Sequence, residues 1–197
     1  MARKPISPSH EMIRAFVALN LPMGVLGELA EVQKRLRQGA KRAGAELTWV
    51  PACNMHITLK FLGDIPVEAS FAIRDRLQGL LTNRIGFALR VGGLGTFPAS
   101  GRPRTLWAGV EDLAAEGGVV TLAKEVDDTL DTLGFAPETR AFHPHVTLGR
   151  FKKSDASESF WDDVELPPTE VVAREVVLYR SELTRAGAEY ASLARFE

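Results

Sequence analysis

The sequence predicts an α+β fold of two similar lobes, with two pseudo-symmetric antiparallel sheets, helices outside them and a central cleft carrying a pair of His-x-Thr-x motifs. Three observations predict it. His56-Ile57-Thr58-Leu59 and His145-Val146-Thr147-Leu148 are near-copies of one piece, 89 positions apart. Each follows a short apolar strand and a long helix at a similar distance: Ala15 to His56 is 41 residues, Leu106 to His145 is 39. The remaining strand-like segments are separated by amphipathic helices or joined by tight turns.

The elements follow in chain order. Residues Met1–Glu11 are polar and short, without an apolar leader core, and read as a flexible tail ahead of a single domain over 12–197. Ile13–Leu21 is an apolar run stopped by Pro22, the pattern of a buried strand. From Pro22 to about Ala43, Val25, Leu26, Leu29, Val32 and Leu36 recur at helical spacing, and Gly39 and Gly44 weaken the last turns. Leu47–Val50 is a short extended piece ended by Pro51, and Met55–Gly63 is the first motif strand. Asp64–Pro66 is a turn, and Val67–Leu81 is a second amphipathic helix with Phe71, Ile73, Leu77, Leu80 and Leu81 on its apolar face.

Phe87–Val91 reads as a strand, after which the glycine cluster Gly92–Pro98 breaks regular structure. That cluster lacks the lysine and helix of a P-loop, so it reads as a bend or bulge at a strand end. Ser100–Arg104 is a basic loop, Thr105–Val110 a buried strand, and Leu113–Leu133 a third helix closed by Gly134. Phe135–His143 is an irregular connector into the second motif strand, His145–Phe151. Lys152–Pro168 is polar loop with a helical turn near Phe160-Trp161. Strands Val171–Leu183 and Glu189–Phe196 finish the chain around a hairpin at Ala186-Gly187.

Composition narrows the function classes. A chain of 197 residues buries on the order of 70% of its unfolded surface without staples. A net charge of −1 gives no global attraction to polyanions, so any nucleic-acid contact rests on a local basic patch. The single cysteine, Cys53, rules out an internal disulfide and a cysteine-based zinc site, and agrees with a reducing cytoplasm. No stretch approaches 18 apolar residues, so no membrane helix is expected.

The motifs carry the chemistry. Residues i and i+2 of a strand share a face, so His56 projects with Thr58 and His145 with Thr147, while Ile57, Leu59 and Phe61 turn to the core. Two imidazoles and two hydroxyls suit acid–base work on a phosphate. Histidine populates both its acid and base forms near neutral pH. In-line displacement at phosphorus needs the two on opposite sides, hence one from each lobe. Thr58 and Thr147 are placed to donate to the non-bridging oxygens. Lys60 shares the parity of His56 and is expected to line the cleft. Arg150 is a candidate phosphate ligand, but simple alternation sets it opposite His145, so that role requires a twist or bulge. Arg102, Arg104 and Arg140 are expected at the entrance, and Phe16, Phe61, Trp107 and Tyr179 in the core. The rival reading is a metal site of His143, His145 and His56. No carboxylate stands beside them at familiar zinc spacing, and His143 reads as a residue that orients the Pro144 turn.

At these residues the chain resembles the two-histidine phosphoesterase superfamily, and within it the RNA 2′,3′-cyclic phosphodiesterases also called 2′-5′ RNA ligases. The resemblance covers nearly the whole sequence: RAFVALNLP (Arg14–Pro22), WVPACNMHITLKFLGDI (Trp49–Ile65), GGLGTFP, PRTLWAGV, HPHVTLGRF (His143–Phe151) and LYRSEL (Leu178–Leu183). It implies hydrolysis of an RNA 2′,3′-cyclic phosphodiester to a 2′-phosphomonoester, without metal or other cofactor, in a cleft between lobes. It implies His56 as proton donor and His145 as the acceptor that activates water. It also implies reversible 2′-5′ RNA ligation at the same site. The expected partner is RNA with a 2′,3′-cyclic phosphate end or a small nucleotide analogue, and the expected state a cytoplasmic monomer. Two alternatives stay open at this point: a nucleotide- or RNA-binding module without turnover, and a sister enzyme acting on a small cyclic nucleotide or ADP-ribose cyclic phosphate.

Overall fold

Strand β1 (Met12–Asn20) lies between β3 (His56–Pro66) and β8 (Val176–Thr184), antiparallel to both. A strand flanked on both sides and covered by helices has little use for polar residues. Ile13, Ala15 and Phe16 through Leu19 are accordingly all buried. The computed structural model describes residues 11–84, 86–116, 118–152, 159–184 and 187–197. Within them the other elements are α1 (Met23–Arg42), β2 (Leu47–Trp49), α2 (Ala69–Leu81), β4 (Phe87–Phe97), β5 (Thr105–Asp112), α3 (Val119–Asp131), β6 (His145–Phe151), β7 (Thr169–Ala173) and β9 (Gly187–Phe196).

The strands are ordered β7-β4-β5-β6-β3-β1-β8-β9, with β2 added on β6. The two sheets expected from the sequence are instead joined into one nine-stranded sheet, as its halves β7-β4-β5-β6 and β3-β1-β8-β9. They meet at one register pair, Ile57 with Val146. The chain weaves between the halves: β2 pairs with β6 although it precedes β3, and β4 pairs with β5. The single strand expected over Val171–Leu183 is two, because β7 finishes one half against β4 and β8 begins again in the other against β1.

The helices cross over in the same way. The apolar stripe of α1, Val25, Leu29, Val32 and Leu36, is buried, and its Gln33 bonds to Leu148 of β6. Helix α3 packs against β3 and buries Val119, Leu122, Val126 and Leu130. Gly39 lies in the last turn of α1, as expected, where a Cβ would stand 3.3 Å from Phe160. Gly44, at φ +67°, then turns the chain away. Helix α3 starts six residues later than its apolar spacing implies, at Val119 rather than Leu113. The Asp112 carboxylate takes the amides of Ala114, short of the helix, and of Val120 in its first turn.

Two further expectations are corrected. Phe71 of α2 is 57% exposed, with the Arg74 guanidinium over its ring, instead of in the core. The glycine cluster does not end β4. It carries a register shift at Gly93 (φ +68°), and the strand runs on to Phe97. At Gly95 the Trp107 ring lies so close that a Cβ would come within 2.3 Å of it. Residues 1–10 lie outside the described residues, and with them the reading of a flexible tail. Glu11 is held, its carbonyl by the Val67 amide and its carboxylate by Arg180. The turn at Phe160-Trp161 is present, as Asp162 N–H bonds to Ser159 O. Ala186 of the expected hairpin tip is outside the described residues, but the β8–β9 pairing continues to Thr184 with Gly187. No helix among the described residues is long and apolar enough to cross a membrane.

Candidate active site

The joint between the halves is where both motifs lie. Ile57 and Val146, fully buried, face each other across β3 and β6. By the pleat, their neighbours His56, Thr58, His145 and Thr147 project to the opposite face, away from the core. In this antiparallel register His56 and His145 are diagonal across the pair, as are the two threonines.

Both histidines are set in the same way. His56 Nδ1–H donates to the carbonyl of Asn54, two residues back, at 2.8 Å. His145 Nδ1–H donates to the carbonyl of His143, also two residues back, at 2.8 Å. Each bond fixes the tautomer and leaves Nε2 facing the cleft. His56 Nε2 accepts from the Thr58 hydroxyl at 3.1 Å. His143 thus acts through its backbone, and its side chain is exposed.

Aromatic rings wall in both imidazoles. Phe16 stacks on His56 at 4.9 Å between centroids, Tyr190 meets it edge-on at 5.6 Å, and Tyr179 stacks behind Phe16 at 5.3 Å. Phe97 meets His145 edge-on at 4.9 Å, with Trp107 6.5 Å away. Tyr179 is held in turn by Asn20, whose Nδ2 reaches its hydroxyl at 2.9 Å. Burial in this apolar setting disfavours the charged imidazolium. It lowers the pKa of His56 from 6.5 to about 4 and lowers that of His145 as well, and the positive charge of Arg150 pushes both the same way. The Arg150 guanidinium is therefore within electrostatic reach of both rings. Among the described residues it has no salt-bridge partner.

Arg150 reaches this face because β6 carries a bulge. Leu106 pairs with Gly149 and Trp107 with Thr147, leaving Leu148 without a partner. One extra residue reverses the side on which everything beyond it points. The same device in β3 overturns the expectation for Lys60. Val17 pairs with Lys60 and Ala18 with Thr58, so Leu59 is skipped. Lys60 consequently faces the helices, 7% exposed, paired with Asp127 of α3 and bonded to Ala136 O at 2.9 Å. Phe61 faces the cleft instead of the core, 65% exposed and 6.0 Å from the Phe16 ring. Phe16 is buried, but against His56 on the cleft face instead of in the core, and Trp107 and Tyr179 are half-buried beside the histidines.

Of the predicted entrance arginines, Arg102, Arg104 and Arg140 are all exposed, and Arg140 is taken up by Glu138. A cavity of about 300 Å³ opens beside His56, lined by Asn20, Asn54, Tyr179, Tyr190, Ser192 and Arg195 among others. Sequence reasoning did not single out Asn54, Tyr190 or Phe97 as parts of the site. Nothing in their local pattern distinguishes them, since they arrive through backbone carbonyls and neighbouring strands. Among the described residues, no three His, Cys, Asp or Glu side chains converge to hold a metal ion.

Known proteins are similar to this chain over nearly its full length. A crystal structure from Thermus thermophilus superposes with a TM-score of 0.71 at 30% identity, over 93% of this chain and 97% of that one. Escherichia coli LigT complexed with 3′-AMP gives 0.67 at 28% identity, over 94% and 97%. The RNA 2′,3′-cyclic phosphodiesterase of Aeropyrum pernix is 36% identical over 175 residues, which is 86% of this chain and 94% of that one. The enzyme of that name from Thermotoga maritima is 32% identical over 90% and 91%. With the family model matching residues 28–185, the chain belongs to the 2′-5′ RNA ligase superfamily.

Proposed function

We propose that this protein opens the 2′,3′-cyclic phosphate at an RNA end to a 2′-phosphomonoester, using His56 as proton donor and His145 as proton acceptor, with no metal. The observation that carries the reading is the placement of both His-Thr pairs on one face of a single strand joint, with Arg150 acting on both imidazoles. The relatives named RNA 2′,3′-cyclic phosphodiesterase support it, as does a neighbour's complex with a nucleotide.

In this mechanism water attacks phosphorus as its proton passes to His145 Nε2. The P–O3′ bond breaks on the opposite side, and the proton on His56 Nε2 goes to O3′. Thr58, Thr147 and Arg150 hold the non-bridging oxygens as negative charge grows there. Burial by itself keeps both imidazoles neutral, which suits the base. The acid becomes charged when the phosphodiester anion enters, because an adjacent opposite charge favours imidazolium and offsets burial. With a 5′-hydroxyl in place of water, the same displacement forms a 2′-5′ bond. The working unit is residues 12–197, acting as a cytoplasmic monomer on RNA ends or on small nucleotide analogues.

The test is direct. His56→Ala and His145→Ala should each abolish opening of a 2′,3′-cyclic-phosphate oligonucleotide while circular dichroism stays native. Full activity in either variant refutes the reading. Relative rates on an oligonucleotide and a cyclic mononucleotide separate an RNA enzyme from one for small substrates.

A further inference from the structure

Gln33 is a buried amide in the middle of α1, 6% exposed, and the chemistry above makes no use of it. Its Nε2 donates twice, to Val50 O at 2.8 Å and to Leu148 O at 2.9 Å. Its Oε1 accepts from Arg37 Nη2 at 3.1 Å, which orients the amide so that both N–H groups face the sheet. Arg37 is itself braced over the Trp49 ring at 5.2 Å.

Both acceptors belong to segments that aim the site. Leu148 is the residue skipped in the β5–β6 register, so it lies outside the β5 ladder at the point where Arg150 is switched to the cleft face. Its carbonyl instead collects Gln33 from below and the Val50 amide at 3.0 Å from the side. Val50 precedes the short turn Ala52–Asn54, whose last carbonyl fixes the His56 tautomer.

A regular β6 would return Arg150 to the helix side, as plain alternation implies. The two-pronged amide matches one carbonyl of the bulged strand and one of the segment that follows β2. We infer that Gln33 is a positioning residue: from beneath the sheet it holds the Leu148 bulge and thereby keeps Arg150 on the face of His56 and His145. The inference rests on the phosphodiesterase reading only for its kinetic consequence.

The experiment is a double-mutant cycle with an added binding readout. Gln33→Met keeps the volume and removes both donors. It should lower kcat/KM about 10²-fold, the scale of a misplacement of about 1 Å in a site group. It should also weaken inorganic phosphate, measured by calorimetry, about tenfold. In an Arg150→Ala background it should add less than about threefold to the loss, because the residue it positions is already gone. Arg37→Met, a surface change that frees the amide to turn, should shift both readouts the same way and stands in if Gln33→Met does not fold. Losses that multiply independently of Arg150 overturn the inference. So does an unchanged phosphate Kd in a folded variant. If the wild-type protein opens no cyclic phosphate, the functional reading fails while phosphate affinity still decides the place of Gln33.

Discussion

The low pKa of His56 makes the stability of this fold depend on pH with a definite sign. The imidazole titrates near 6.5 in the unfolded chain and at about 4 in the folded one. Between those values the unfolded state binds more protons, so stability rises with pH across the window. Stability is full above pH 6.5 and is lost as pH falls toward 4. A gap of about 2.5 pH units, at about 1.36 kcal/mol each, amounts to about 3 kcal/mol from this one ring. The perturbation is His56→Phe, which keeps a ring against Phe16 and cannot titrate. Urea unfolding of both proteins at half-unit steps from pH 7.5 to 4 isolates the effect, since His145 and the carboxylates titrate alike in each and cancel in the difference. The wild type should lose about 3 kcal/mol more than the variant. Saturating inorganic phosphate should flatten the wild-type slope, because the anion favours the charged ring that burial disfavours. Parallel stability curves for wild type and variant would refute both the burial argument and the claim that substrate charges the acid.

Other consequences are checked more simply. Activity should survive dialysis against EDTA, and a loss restored by zinc would bring back the metal reading of His56, His143 and His145. The acid limb of kcat/KM should lie below pH 6.5, since both free imidazoles titrate below their ordinary value; a limb above 6.5 contradicts the desolvated site. Lys60→Met should destabilise the protein by about 3–5 kcal/mol, by leaving Asp127 without its buried partner. The same change should leave kcat/KM per folded molecule within a few-fold, whereas a large kinetic loss at unchanged stability would place Lys60 in the cleft.

Much of this architecture was legible because it follows from periodicity. A helical stripe such as Val25–Leu29–Val32–Leu36 predicts its own burial, and the duplicated spacing before His56 and His145 predicts that the two motif strands occupy equivalent places. What period two does not reveal is where the period slips. A bulge is a decision of the partner strand: Leu59 and Leu148 are skipped because β1 and β5 pair around them, and neither leucine differs in type from its regular neighbours. Each slip misdirects every expectation beyond it, which is why Lys60 and Phe61 exchange sides while the motifs themselves stay in place.

The slips also account for how a duplicated scaffold comes to hold one asymmetric site. Phe61 stands five residues beyond His56 and Arg150 five beyond His145, each carried to the cleft by the bulge between. Pseudo-symmetry therefore assigns the two positions the same geometry and leaves their chemistry free to differ. One half offers an exposed ring beside Phe16, which stacks on its imidazole, and the other a guanidinium near its own. A phosphodiester is itself asymmetric, with a nucleoside on one side and an anionic phosphoryl group at the centre. On the proposed function, identical residues at these two points would match only half of it.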